Sequence, residues 1–268
     1  MTDDAPTHRY RALFLSDLHL GTRGCQAELL LDFLRHNDAP TIYLVGDIVD
    51  GWRLKNGWYW PQTHNDVVQK LLRKVRKGGR VIYVPGNHDE FARDYAGLEF
   101  GGVEVVKSTF HETADGRRML VVHGDQFDIV MRHARWLAMA GDWAYEWAIV
   151  LNAHYNRLRR AFGGGYWSLS AWAKYKVKNV VNFIGDYEAA LASEARRRGA
   201  DGVICGHIHH AAIKTIDGVR YVNTGDFVES CTAVAEHPDG RFEILRWTQQ
   251  LALPAPVNVA LPAAQAAA

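Results

Sequence analysis

Aspartate, asparagine and histidine recur in five short blocks: Asp17-Leu18-His19, Gly46-Asp47, Gly86-Asn87-His88-Asp89, His123-Gly124-Asp125 and Gly206-His207-Ile208-His209. They offer carboxylate, amide and imidazole donors without thiolate, a set that suits Mn, Fe(II), Zn, Co or Ni, and Mg less well because of the imidazoles. Asp17 and His19 lie two residues apart, as do His207 and His209, so in an extended segment each pair points the same way. Asp47 follows a glycine, where backbone can approach an ion closely. Asn87 adds a neutral amide oxygen and His123 another imidazole. Seven ligands are too many for one four- or six-coordinate ion that must keep a position open for water. Two ions sharing the Asp47 carboxylate accommodate them. Such a pair, about 3.5–4 Å apart, polarises a phosphoryl oxygen and generates hydroxide for an in-line displacement. Taken singly, Asp17 reads as an Asx-turn residue, Asp47 as a loop carboxylate, and His19 or His123 as a structural histidine. Their joint order carries the metal reading.

Each block follows a β-like run, starting at Arg11, Thr41, Arg80, Arg118 or Gly202. Arg11–Leu15, Thr41–Val45 and Arg80–Val84 read as buried strands; Gln26–His36 and His64–Lys77 between them carry apolar residues at helical spacing. That alternation argues for a parallel sheet covered by helices, and open α/β sheets form sites outside the carboxyl ends of their strands. After Phe100 come shorter runs at Val103–Lys107, Arg118–Val122, Gly202–Cys205, Ala212–Ile216, Val219–Asn223, Thr232–Ala235 and Phe242–Trp247. With hairpin signals at Asp217-Gly218 and Asp239-Gly240, they are expected to form a second sheet. The expected fold is α/β: a two-sheet β-sandwich flanked by helices, in four layers α/β/β/α, spanning residues 10–248. Phe127–Gly199 reads as a helical insertion within it, with Trp136, Ala140, Trp143, Trp147 and Leu151 forming one stripe. Residues 1–9 and the Ala/Pro-rich 251–268 are expected to be disordered tails.

The 268 residues can bury a substantial core, and 48% are hydrophobic. A net charge of +1, from 31 basic and 30 acidic residues, gives no extended field for tracking nucleic acid. The N-terminal MTDDAPTHR has no apolar stretch of a secretory signal, and no run reaches the length of a membrane-spanning helix. Cys25, Cys205 and Cys231 lack metal or redox spacing and read as buried thiols. The expectation is a cytoplasmic protein without an integral anchor.

The five blocks, in this order, resemble the calcineurin-like metallophosphoesterases over about residues 11–247. The resemblance implies that Asp17, His19, Asp47 and His209 hold one metal, and that Asp47, Asn87, His123 and His207 hold the other. His88, paired with Asp89, matches the phosphate-contacting histidine, able to donate a proton toward the leaving group. Within the family the chain looks most like the UDP-2,3-diacylglucosamine diphosphatases of lipid A synthesis. The features are Asp-Leu-His-Leu with Gly21, Gly-Asp followed by an acid and Trp52, and an insertion between His123 and His207. That implies cleavage of a pyrophosphate to a lipid monosaccharide phosphate and UMP, usually with Mn, under an acyl-chain lid formed by the insertion. The best-studied members carry Arg where this chain has His88, which exchanges a fixed charged fork for a group that can pass a proton.

Trp52, Trp136 and Trp143 are candidate substrate contacts beside Asn87 and His88; Trp58, Tyr59 and Trp60 could stack on a base or sugar, or pack as an ordinary loop. From Met131 to Arg198 there are eleven Lys or Arg against five Asp or Glu, which suits peripheral contact with an anionic membrane face or a solvated basic surface. Asp125 and Asp128 could brace His123, while His64 and His210 match no motif position. Two other readings compete: a phosphodiesterase or nucleotide phosphatase of soluble substrates, and a non-catalytic metal-bound membrane adaptor.

Overall fold

The computed structural model describes residues 8–127 and 184–250. The chain opens with β1 (His8–Arg9), β2 (Ala12–Leu15), α1 (Ala27–His36), β3 (Asn37–Asp38), β4 (Thr41–Val45), α2 (Gly51–Asn56), α3 (Gln62–Arg76) and β5 (Arg80–Val84). A 3-10 turn over Glu90–Tyr95 leads to β6 (Glu99–Phe100), β7 (Val103–Val105), β8 (Thr109–Glu112) and β9 (Arg118–Val121). After the helix over 184–197, here α4, come β10 (Gly202–Cys205), β11 (Ala212–Ile216), β12 (Val219–Asn223), β13 (Thr232–Glu236), β14 (Phe242–Arg246) and the short α5 (Trp247–Gln250).

Two sheets face each other. One has the order β14-β13-β2-β4-β5-β7-β6 and the other β11-β12-β10-β9-β8, while β1 and β3 pair separately. Strands β2, β4, β5 and β7 run parallel to one another, as do β9, β10 and β12 in the second sheet. Strand alternation assigns the two faces of β2. Ala12 and Phe14 join Tyr43, Val45, Ile82, Met119, Val121, Ile204 and Val222 between the sheets, while Leu13 and Leu15 pack outward with Leu30, Phe33 and Leu34 of α1 and Val67 and Leu71 of α3. On the far side, Tyr187, Leu191, Ala192 and Ala195 of α4 cover Leu120, Val203 and Tyr221. The four expected layers are present, with β11/β12 and β13/β14 joined as hairpins at Asp217-Gly218 and Asp239-Gly240.

Three expectations are corrected. The strands after Phe100 do not all enter the second sheet: β7, β13 and β14 belong to the first, with β13 antiparallel to β2. Every residue of β13 is buried, so no alternation in its sequence marks the sheet it joins. The stretch 184–197, expected within an insertion, is the outer helical layer of the body, because its apolar face is needed to cover the second sheet. His8 and Arg9, expected in a tail, pair with Asn37 and Asp38.

A buried charge cluster joins the sheets at the end away from the five blocks. Glu236 of β13 accepts from Arg11 Nη1 (2.8 Å), His111 Nε2 of β8 (2.7 Å) and the Ala114 amide (2.8 Å). His111 Nδ1 lies 3.1 Å from the Tyr43 hydroxyl. Burial works against charge on Glu236, but His111, the Ala114 amide and Arg11 hold its carboxyl below the usual range.

Candidate metal centre

The blocks leave β2, β4, β5, β9 and β10 at their carboxyl ends and converge between the two sheets. The backbone turns sharply as it does so. Asp17, His19, Asp47, His207 and His209 all have φ between 51° and 72°, a left-handed conformation that costs a non-glycine residue about 1–3 kcal/mol and persists only where surroundings impose it. Among the described residues, only Asp217 and Cys231 otherwise adopt positive φ without being glycine. Hydrogen bonds between blocks hold two of the five: the amides of Asp17 and His19 donate to the carbonyls of Gly46 and Asp47 (both 2.9 Å).

The side chains then meet. Ligand-type atoms of Asp17, His19 and His209 lie within 4.8 Å of one another, as do those of Asp47, His123 and His207, and those of His19, Asp47 and His88. Asp47 Oδ2 is 3.4 Å from His123 Nε2 and 4.0 Å from His19 Nε2. Four buried atoms of the candidate ligands, Asp17 Oδ1, His19 Nε2, Asn87 Oδ1 and His123 Nε2, make no hydrogen bond, and His88 Nδ1 beside them makes none either. Leaving such groups unpaired is costly and rare in folded proteins, and all four are lone-pair donors of the kind a divalent cation takes. The residues therefore fit two divalent ions sharing Asp47. Thiolates play no part: burial pushes the Cys25 and Cys205 thiols up to about 12.

Neighbours fix the orientation of each ligand. His123 Nδ1 donates to the Val45 carbonyl (2.8 Å), which leaves Nε2 with its lone pair toward Asp47. His19 Nδ1 lies 3.1 Å from Asp50 Oδ2, so its Nε2 faces the centre in the same way. Asp17 Oδ2 accepts from the His207 amide (3.0 Å) and the Ser16 hydroxyl. Burial opposes the charge on Asp47, yet adjacent His123 and the His88 amide (2.9 Å) keep its carboxyl well below the usual range. Gly86 is required by close approach: a Cβ there would lie 2.6 Å from His123 Nε2.

The partner of His88 differs from the expected one. Its Nδ1 sits 3.0 Å from Asp50 Oδ2, not beside Asp89. Asp89 is fully buried and faces backward, accepting from the amides of Ile48 (2.7 Å) and Asp47 (3.3 Å), the Gly86 amide and the Tyr83 hydroxyl. It clamps the Asp47 loop to the Asn87 loop and has no oxygen left for substrate. Asp50 is the residue that motif spacing does not single out. One oxygen caps α2 through the Arg53 amide (2.8 Å) and the other serves His19 and His88; its place three residues after Asp47, just before a short helix, is the available signal.

Trp52, on the first turn of α2, lies with its ring centroid 4.2 Å from that of His88 and is 37% exposed. Trp136, Trp143 and Asp128 lie outside the described residues. Asp125 binds Arg93 through both oxygens (2.8 and 2.7 Å) and does not touch the His123 ring nitrogen, which Val45 holds. His64 is not a surface residue: it is buried, accepts the Gly21 amide at Nδ1 (3.0 Å), and packs edge-on with Tyr59 and Trp60. His210 is exposed.

Comparison with known proteins assigns this arrangement to a family. The profile of the calcineurin-like phosphoesterases matches residues 10–211, a span that holds all five blocks. The chain belongs to the calcineurin-like phosphoesterases. It is a metal-dependent hydrolase of phosphoester bonds. As a calcineurin-like phosphoesterase it is 28% identical, over 85% of its length and 96% of the relative's, to the UDP-2,3-diacylglucosamine hydrolase of Xanthomonas campestris pv. campestris. It is 27% identical to that of Stenotrophomonas maltophilia, over 76% of this chain and 84% of the relative. Among solved structures, it is similar to a novel archaeal phosphodiesterase (13% identity, TM-score 0.40, 87% of this chain and 98% of that one). Vacuolar protein sorting 29 of Cryptosporidium parvum is likewise similar (12% identity, TM-score 0.40, 87% and 94%).

Proposed function

We propose that this phosphoesterase cleaves the pyrophosphate of a nucleotide-diphosphate lipid, UDP-2,3-diacylglucosamine, to 2,3-diacylglucosamine 1-phosphate and UMP, with Mn as its metal. The observation that carries the reaction is the set of unpaired, buried ligand atoms around Asp47. The substrate is supported by relatives named for it that align over nearly their full length.

In this reading Asp17, His19, Asp47 and His209 hold one ion and Asp47, Asn87, His123 and His207 the other. When bound, the two ions supply Lewis-acid polarisation of the phosphoryl oxygen and a hydroxide-level nucleophile. Asp50 Oδ2 lies 3.0 Å from His88 Nδ1, which leaves Nε2 as the nitrogen to donate a proton to the leaving phosphate oxygen. Trp52 packs against His88, limits its rotation and keeps bulk water from that side. Asn87 orients the substrate phosphate beside His88. Trp136 and Trp143 are assigned to the acyl chains, and the basic excess between Met131 and Arg198 to an anionic membrane face.

The test is a panel of substrates assayed with Mn: UDP-2,3-diacylglucosamine, soluble phosphodiesters and monoesters. Release of UMP from the lipid, at a kcat/KM well above that for every soluble compound, is expected. Preference for a soluble diester, with activity indifferent to acyl chains, would replace the lipid reading with that of a soluble phosphodiesterase.

A further inference from the structure

Tyr187 lies outside all five blocks, yet its side chain touches two of them. It sits on α4 and is fully buried, with Tyr221 one of the two largest such side chains beneath the second sheet. Its hydroxyl is 3.4 Å from the Gly206 carbonyl, and its ring centroid is 6.0 Å from that of His207. On its other side the hydroxyl lies flush against Gly124, where a Cβ would run directly into it. Gly124 follows His123 and Gly206 precedes His207, so one phenol bears on the residues next to both imidazoles.

The Gly206 carbonyl is an unusually well-held group. Besides the Tyr187 hydroxyl it accepts from Asn223 Nδ2 (2.8 Å) and the Ile208 amide (3.0 Å). The amides on either side of it are held too: that of Gly206 donates to the His123 carbonyl (3.2 Å) and that of His207 to Asp17 Oδ2 (3.0 Å). The peptide that sets the direction of His207 is therefore fixed from both ends. The imidazoles of His123 and His207 end up crossed, with centroids 5.0 Å apart and planes at 76°. The loops of Asp17 and His19 are tied to Gly46, Asp47 and Phe227, whereas the phenol reaches the centre through the Gly124 and Gly206 turns.

We propose that Tyr187 is a positioning residue for one half of the metal pair: it wedges the Gly124 and Gly206 turns apart at a fixed spacing and so sets the His123–His207 ligand set more directly than Asp17 and His19, whose backbone is held from Gly46, Asp47 and Phe227. The proposal rests on the two-ion reading above but not on the identity of the substrate. Its consequence is asymmetric. Removing the hydroxyl should loosen one ion selectively, because groups that orient metal ligands govern affinity at the site they orient, typically by about 10–100-fold.

The experiment is calorimetric titration of the chelated full chain with Mn, alongside the electron paramagnetic resonance signal of coupled Mn pairs and a thermal melt. Wild type is expected to take two equivalents and give the coupled signal. Tyr187→Phe, which keeps the buried ring, should take the first equivalent as wild type does and bind the second about tenfold more weakly. Gly124→Ala, which forces a Cβ into the hydroxyl, should weaken the same equivalent further. The double variant should be no worse than Gly124→Ala alone, since both changes disturb one contact. Equal weakening of both equivalents, or two equivalents of wild-type affinity in folded Tyr187→Phe, would overturn the proposal. A wild type that takes only one equivalent would instead strike at the two-ion reading itself.

Discussion

Asp47 is the residue on which most of the chemistry depends, because its carboxylate lies beside His19 on one side and His123 on the other. Asp47→Ala should abolish turnover and reduce bound Mn, measured by elemental analysis after dialysis, and wild-type metal content in that variant would contradict the shared-ligand reading. His88 stands apart from this. His88→Ala should lower kcat by about 10²–10⁴-fold, the range for loss of one acid–base group, with Mn content unchanged. Asp50→Ala should do both kinds of damage at once, since it orients His19 as well as His88; a fall in kcat with metal affinity intact would show that only the His88 contact matters. The seven residues assigned as ligands are all legible as candidates in the sequence, because each belongs to a short block with fixed spacing, and the fold brings those blocks together. The contacts of Asp50 with His19 and His88 and of Tyr187 with Gly206 are made across the fold, and only the place of Asp50 three residues after Asp47 signals any of them. Asp89 shows the converse: adjacency to His88 suggested a pair, but the backbone turns the two side chains in opposite directions.

The elements were legible where periodicity is strong and local. Strands at Thr41–Val45, Arg80–Val84 and Gly202–Cys205 match their apolar runs residue for residue, and the two Asp-Gly turns close hairpins as their φ preferences require. Sheet membership was not legible. Strand β13 returns to pair with β2 across more than two hundred residues of sequence, and a strand buried on both faces carries no alternation to say so. That return has an energetic signature in Glu236, a buried carboxylate that depends on Arg11, just before β2, and His111 of β8. Glu236→Ala should destabilise the fold by about 1–3 kcal/mol by leaving buried His111 without its partner, read from the denaturant midpoint; a change under about 1 kcal/mol would mean the cluster is not structural. Because the folded-state pKa of Glu236 is depressed below its ordinary 4.5, its contribution is fully present above that pH and is lost as pH falls through the depressed value. Wild type should therefore lose stability more steeply below about pH 4.5 than Glu236→Gln does.

At the scale of the whole molecule, two sheets bring their parallel carboxyl ends to one edge and thereby bring five separated blocks into one centre. Among the described residues no helix is long and apolar enough to cross a membrane. The large exposed apolar side chains of the described residues, Trp52, Trp58, Phe91, Tyr95, Leu98 and Phe100, all come from one stretch of sequence that flanks His88. Hydrolysis is expected to need both halves of the Asp47-centred site. The direct measurement is hydrolysis of bis(p-nitrophenyl) phosphate by chelated protein as Mn is added back stepwise. Activity should stay low through the first equivalent and rise with the second, and Asp47→Ala should remain inactive throughout. Full activity after a single equivalent, or turnover by Asp47→Ala, would contradict it.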